Sequence, residues 1–396
     1  MKKKIIRIVA DARHHLGDDL VIRSLVRRYP GTAFLLCADS DYQGVFAAAN
    51  LHIINKKNIV YRALNGLGRL WGMRDTASEM ISLFCDAIVQ IDDSHFTEYP
   101  NWREAMSRAG RPILRSKQPR FLLNVHFGSY ENRDFYKFYQ MSFADYHDIC
   151  FRDTRSAELF STLTAVRSAP DMLFCQQPAG YENGHIVISV LNLRNIHGLT
   201  DYANAYETAI SRLCTNLSAL DIPQILLALC PGQGDADAVR RIYNGLNPTA
   251  RKQTQMMEYG KNPDEILSLI AGAKCVVTAE FQAMALGWAA DRPVFPVVCS
   301  AKTRAALEDL DMQEDWIDIV SIHSLTVERV LQTIHRGIRP DRAALAAAAA
   351  NQFARLDAYL AHPAIPSRAW MHDAARDEHV LPKGAAYLEF NPNRNL

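Results

Sequence analysis

Val276–Thr303 reads VVTAEFQAMALGWAADRPVFPVVCSAKT, and the order of its parts settles the fold class. With Cys275 in front, it opens on an apolar run suited to a strand covered on both faces. A sharp exit follows, then an apolar helical stretch. A second apolar run, Val294–Val298, brings Cys299, Ser300 and Lys302 to one rim. In a parallel α/β sheet such exits hold ligand-binding groups, because loops and helix N-termini converge there. Here the exit carries Glu280 and Gln282, one acidic and one neutral.

The same unit recurs along the chain. Further apolar runs stand at Ile5–Ala10, Ala33–Ala38, Ala87–Ile91, Phe121–Val125, Ile149–Phe151, Ile186–Leu193, Ile225–Cys230 and Ile317–Ile322. Helix-like stretches lie between them, among them Asp18–Arg28, Ala157–Val166, Tyr202–Ala219, Asp235–Tyr243, Pro263–Ala271 and Gln282–Ala290. Apolar runs separated by helices predict an α/β fold of two doubly wound Rossmann-like domains facing a cleft. The seam is placed in Asp171–His185, where Pro178, Gly180, Asn183 and Gly184 gather without helical period. That gives an N-terminal domain over residues 1–175, a C-terminal domain over 176–340, and a C-terminal helix and extended tail over 341–396. The helix is alanine-rich, with Leu345, Phe353, Leu356 and Leu360 as anchors, and is expected to pack back across the domains.

Charge narrows the partners. Lys and Arg number 44 against 43 Asp and Glu, a formal net charge of +1, so no long-range field draws in nucleic acid or anionic lipid. A small or neutral partner is favoured. The apolar run behind Met1–Lys4 is too short for a membrane span and lacks a small-residue cleavage site, which predicts a cytoplasmic protein without a transmembrane segment. The eight cysteines are scattered, with no Cys-x-x-Cys pair, and read as buried reduced thiols.

Polar clusters fall at the strand ends. In DARHHLGDDL, Gly17, Asp18 and Asp19 open the first helix, either as a dipole-matched start or as part of a site. In QIDDSHF, Asp92, Asp93, Ser94 and His95 follow a strand, as a capping turn or as metal ligands. NVHFGSYEN gathers His126, Gly128, Ser129 and Asn132, where Gly128 either admits a ligand close to the backbone or makes a simple turn. In ICFRDTRSAELF, Arg152 either forks onto a phosphate or carboxylate or pairs with an aspartate. In LALCPGQGDADAV, Gly232 and Gly234 precede a helix headed by Asp235, without the lysine of a phosphate-binding loop or the third glycine of a dinucleotide fingerprint.

Taken in order, LGDDL with RYP, DAIVQI followed by SHFTE, HFGSYEN, FRDTRS, APDML, ISVLNL, CPGQGDADAV and the opening stretch resemble the polysaccharide pyruvyl transferase family from Lys3 to Ile319. The resemblance implies a GT-B-like architecture with the site between the domains, the acceptor on the N-terminal side and the donor on the C-terminal side. It implies transfer of the enolpyruvyl carbon of phosphoenolpyruvate to two hydroxyls of a sugar, as a cyclic ketal on a surface glycan or its lipid-linked precursor. Phosphoenolpyruvate is then a co-substrate, and no cofactor or metal is expected. A lipid-linked acceptor would bring the protein to the periphery of the inner membrane, and the resemblance leaves room for a homo-oligomer. The donor- or substrate-binding candidates are Gly17, Asp92, Asp93, Ser94, His126, Gly128, Asn132, Arg152, Gly234, Asp235, Ser300 and Lys302, with Glu280, Gln282 and Asp18 at the catalytic positions.

Two departures matter. The family's exit motif resembles Ser-x-Arg-x-His or Ser-Arg-Phe-His, giving an arginine for the donor's anionic groups and a histidine as acid. The matching residues here are Ala279, Glu280, Phe281 and Gln282, so both are replaced. Asp92 and Asp93 stand where family members tend to have two glycines. Like charges about 4 Å apart cost on the order of 1 kcal/mol in water and about 4 near a protein surface. With Glu280 added, the donor site is expected to repel anions unless the carboxyl pKa values rise sharply or a cation is bound, leaving Arg152, Arg155 and Lys302 as its cations. Three readings stay open: an active pyruvyl transferase, a divergent member that binds a glycan or partner without turnover, and a different enzyme. In the last, Asp92, Asp93, His95 and Glu280 hold a divalent metal or act as a carboxylate pair.

Overall fold

The computed structural model describes residues 3–10, 15–40, 42, 45–46, 48–70, 75–91, 96–99, 102–103, 118–178, 180–312 and 316–361. A seven-stranded sheet joins β1 (Ile5–Val9), β2 (Ala33–Ala38), β3 (Leu51–Asn55), β4 (Ala87–Gln90), β5 (Arg120–Val125), β6 (Asp148–Phe151) and β7 (Val166–Ser168) in the order β3-β2-β1-β4-β5-β6-β7. A six-stranded sheet joins β8 (Ile186–Ser189), β9 (Gln224–Ala228), β10 (Thr254–Glu258), β11 (Cys275–Thr278), β12 (Val294–Val298) and β13 (Ile317–Asp318) in the order β10-β9-β8-β11-β12-β13. Their ladders are parallel. In each sheet the winding reverses beside its first strand, between β1 and β4 and between β8 and β11. At such a switch point neighbouring strands send their loops to opposite sides, which opens a crevice at their carboxyl ends.

Burial on both faces explains the continuous apolar runs. Along β11, Cys275 and Val277 enter one core while Val276 enters the other. Along β5, Phe121 and Leu123 face one side and Leu122 and Val125 the other. The apolar stretch after β11 forms the helix Phe281–Ala289, buried along its whole length.

Two elements tie the domains together. In the helix Leu16–Arg28, Leu16 and Leu20 join the core of the second domain while Val21, Ile22 and Leu25 join that of the first. The alanine-rich segment forms two helices, Arg342–Ala349 and Ala354–Ala361, around a 3-10 turn at Ala350–Phe353. Leu345 and Ala349 pack into the second domain, Phe353 and Leu356 into the first. Between the sheets, Asp171 caps the 3-10 turn Met172–Cys175 by accepting the Leu173 N–H at 2.8 Å.

Several expected elements are corrected. The helix expected over Ala157–Val166 lies instead at Thr154–Leu159, because the Phe160 N–H turns back to the Ala157 carbonyl and Val166 opens β7. The strand expected over Ile317–Ile322 has two residues. Asp318 then accepts the Val320 N–H at 3.1 Å and starts a 3-10 helix. The edge strands β3 and β10 escaped notice because half-exposed positions break their apolar pattern. All eight cysteines are free, seven of them buried and Cys175 half-buried. No helix among the described residues is long and apolar enough to cross a membrane.

Candidate functional site

The strand order β9-β8-β11-β12 sets four carboxyl ends side by side. They carry Cys230 and Asp235, Ser189, Glu280, and Lys302 respectively. Glu280 thus sits at the switch point, its backbone pinned by Thr278. The Glu280 N–H bonds to Thr278 Oγ1 at 2.8 Å, and that hydroxyl donates to the Glu280 carbonyl at 3.0 Å. The Glu280 side chain does not cap the helix behind it. It turns inward and is buried, accepting from the Ser189 hydroxyl and bonding to Asp235. Asp235 accepts the N–H groups of Asn192 at 2.8 Å and Cys230 at 3.2 Å. Gly234 makes this turn at φ +91°, and a Cβ there would lie 2.7 and 2.8 Å from the amide nitrogens of Asn195 and Asn192.

This geometry meets one of the conditions under which Glu280 adds no negative charge to the cleft. Burial, then the neighbouring Asp235 charge, push the Glu280 carboxyl well above its ordinary 4.5, against the pull of Lys302. Burial raises Asp235 from 3.8 to about 6, opposed by the hydrogen bonds from Asn192, Cys230 and Glu280. At neutral pH the pair therefore holds one proton, on Glu280, which donates to the Asp235 carboxylate. Cys230 Sγ and one oxygen from each carboxyl all lie within 4.8 Å of one another. Burial, with Glu280 and Asp235 nearby, keeps that thiol protonated. A cation entering there must first displace protons.

Facing this rim is the N-terminus of Leu16–Arg28, where the Gly17 N–H donates to Gln282 Oε1 at 2.9 Å across the domain boundary. A Cβ on Gly17 would meet Gln282 Cδ at 3.1 Å, so a side chain there would crowd the contact and push Gln282 back by a few tenths of an ångström. The Gln282 amide nitrogen lies 2.9 Å from His15 Nε2, and Asp18 stands 3.8 Å from His15 Nδ1. Asp19 is fully buried and accepts the hydroxyls of Tyr42 at 2.9 Å and Tyr259 at 2.6 Å, one from each domain. Arg23 bonds Asp264 at 2.6 Å across the same boundary.

On the first sheet, Arg152 follows β6, bonds Asp171 at 3.1 Å and lies 5.1 Å above the Phe281 ring. His126 follows β5; its Nδ1 is 2.7 Å from Asp153 and its buried Nε2 has no hydrogen-bond partner among the described residues. Asp153 also accepts from the Ser156 N–H and hydroxyl. Burial opposes its charge, but His126 and Ser156 together hold its carboxyl below the ordinary range.

The sequence pattern of polysaccharide pyruvyl transferases matches residues 15–300. The chain belongs to this family. Its fold is the GT-B arrangement of two Rossmann-like domains, as distant solved structures also show. HepE from Anabaena, crystallised with UDP and glucose, aligns with TM-score 0.54 at 10% identity, over 91% of this chain and 100% of its own. UDP-N-acetylglucosamine 2-epimerase from Rickettsia bellii aligns with TM-score 0.52 at 10% identity, over 91% and 97%. The calicheamicin glycosyltransferase CalG4 gives 0.51 at 12%, over 92% and 100%. A search of curated proteins returns no significant match.

Within this family member, the structure gathers Gly17, Asp18, Arg152, Asp235, Glu280, Gln282 and Lys302 along the facing strand ends. Asn132 and Ser300 serve as helix caps, accepting from the Asp134 and Thr303 N–H groups. Gly128 has φ +115° and its carbonyl accepts from Thr97, while Gly234 shapes the turn before Asp235. Asp92, Asp93, Ser94 and His95 lie outside the described residues. Arg152 pairs with Asp171 rather than its neighbour Asp153, whose oxygens are taken by His126 and Ser156. Sequence reasoning missed Ser189 and Cys230 as neighbours of Glu280, and His15, Tyr42 and Tyr259 at the seam. The position of Ser189 at the end of β8, next to β11, was the available signal. Cavities of about 450 and 770 Å³ flank the crossovers instead, around Gln177, Asp291 and Arg342, at the far end of the helix that Glu280 precedes.

Proposed function

We propose that this family member transfers the pyruvyl group of phosphoenolpyruvate to two hydroxyls of a sugar, as a cyclic ketal, in surface-glycan synthesis. The acceptor lies on the side of residues 1–175 and the donor on that of 176–340. One observation carries this reading. Lys302 is half-buried at the end of β12, with no hydrogen bond or ion pair among the described residues, beside a carboxyl pair that retains a proton. Its charge is thereby available to the donor's phosphate or carboxylate.

In the reaction, protonation of the donor's methylene carbon makes a methyl group and leaves C2 electrophilic. A sugar hydroxyl forms a bond to C2, the bond from C2 to the phosphate oxygen breaks, and a second hydroxyl closes the ketal. The two hydroxyl protons end on the catalytic acid, which is thereby restored, and on phosphate. These steps balance without a cofactor. Gln282 cannot supply the first proton, so the role passes to His15, whose ring lies against it with Asp18 alongside.

Calorimetry with phosphoenolpyruvate and assay of phosphate release with a panel of hexose acceptors test this. Binding should be lost in Lys302→Gln, whereas His15→Gln should bind and release no phosphate. Absence of binding to the wild type at millimolar donor would refute the reading. The second reading, glycan or partner binding without turnover, draws on the Gln282 bond to the Gly17 N–H, which occupies a helix N-terminus suited to an anion. Gain of donor binding by Glu280→Arg with Gln282→His, where the wild type shows none, would favour it.

A further inference from the structure

The helix Ile59–Leu70 packs on the edge of the first domain through Tyr61, with Leu64 beside it, against Cys37 and Ala77. Yet Ile59 is 82% exposed, Val60 63%, Leu67 61% and Leu70 81%. At about 100° per residue, these four and the exposed Ala63 fall within about 100° of arc, which continues through the half-buried Leu64 to the buried Gly68 and Tyr61. The helix therefore has one wide apolar face, and its own domain covers only part of it, leaving the stripe of Ile59, Val60, Ala63, Leu67 and Leu70 exposed.

The charge beside this stripe has one sign. From Lys56 to Leu70 there are four basic residues, Lys56, Lys57, Arg62 and Arg69, and no acidic one. Lys57 pairs with Asp39 at 2.9 Å, while Lys56, Arg62 and Arg69 form no ion pair among the described residues. The net charge of +1 over the whole chain conceals this local concentration. A second copy seated on the stripe would bring these cations against their own counterparts, which disfavours a symmetric dimer.

We propose that Ile59–Leu70 is a docking surface that lies in the interface of an anionic phospholipid bilayer, its apolar stripe among the acyl chains and its basic residues at the headgroups. The helix starts just beyond the carboxyl end of β3, so its basic entrance shares a rim with the strand ends that form the cleft. At that rim a lipid-linked substrate could be reached without any spanning segment.

The test is co-sedimentation of the full chain with vesicles of equal parts phosphatidylglycerol and phosphatidylcholine, and with phosphatidylcholine alone, without donor present. Binding to the anionic vesicles alone, weakened by salt, is expected. Arg62→Gln with Arg69→Gln should weaken it about 25-fold, at about fivefold per charge removed. Leu67→Glu with Leu70→Glu should abolish sedimentation while leaving the thermal melt unchanged, since both side chains are exposed. No binding to the anionic vesicles, or undiminished binding by the Leu67→Glu, Leu70→Glu variant, would overturn the proposal. So would a dimer in light scattering that this variant dissociates in the absence of vesicle binding. None of these outcomes depends on phosphoenolpyruvate turnover, so failure here and failure of the pyruvyl transfer reading are separable.

Discussion

Replacing Glu280 with glutamine should remove a pH dependence that the wild-type protein carries in its stability. In the native state burial, then the Asp235 charge, hold the Glu280 proton in place, whereas an unburied glutamate releases it near 4.5. Above that pH the native state binds one proton more than the unfolded chain. Stability then falls as pH rises, by about 1.4 kcal/mol per pH unit, until the folded group itself titrates. Asp235 acts with the same sign lower down. Raised from 3.8 to about 6, it contributes stability that is full below pH 3.8 and lost by about pH 6, on the order of 3 kcal/mol in total. Glutamine keeps the shape, its carbonyl accepting from Ser189 and its amide donating to Asp235, so Glu280→Gln removes the Glu280 proton alone. Above about pH 6, where Asp235 is ionised in both states, the wild type should lose about 1.4 kcal/mol per pH unit relative to the variant, or about 2 °C in Tm per pH unit, until Glu280 itself titrates. Unfolding of both proteins across this range, followed by tryptophan fluorescence, reads the difference through Trp288, buried in the helix behind Glu280. Parallel stability curves would show that Glu280 is ionised in the native state, and the neutral-pair argument would fall.

Three further outcomes follow from the seam. Asp19→Ala should cost about 3 kcal/mol in urea unfolding, because the hydroxyls of Tyr42 and Tyr259 lose their acceptor, and Asp19→Asn should cost less. Gly17→Ala should destabilise by about 1 kcal/mol through its clash with Gln282, although alanine is ordinarily the better helix former. That cost should disappear when Gln282→Ala is added, giving a favourable coupling in a double-mutant cycle; purely additive costs would mean that Gly17 and Gln282 do not meet.

Much of the architecture was legible because a parallel sheet buried on both faces leaves its strands few polar positions. Cys275–Thr278 and Val294–Val298 are found at the bounds read from the sequence. What escaped notice lay at the edges. β3 and β10 are half-exposed, and the apolar residues of the helix Ile59–Leu70 form one broad face, so the part its own domain leaves uncovered does not stand out in the sequence from the part that is packed.

The site divides differently. The sequence alone determined that a carboxylic acid and an amide stand at the exit of β11, because that follows from a strand, its end and the residue types there. Only the tertiary structure decided what they are. Glu280 keeps its proton because the interior around it is dry and because Asp235 reaches it from a neighbouring strand, against the Ser189 hydroxyl and Lys302, which favour its charge, and the electrostatic cost of a second charge depends on that distance and burial. Gln282 caps a helix whose Gly17 lies 265 residues away in sequence. Likewise Asp18 and Asp19 look equivalent in the sequence, but one helix step turns the first to the cleft and the second onto two tyrosines, a choice fixed when the domains meet.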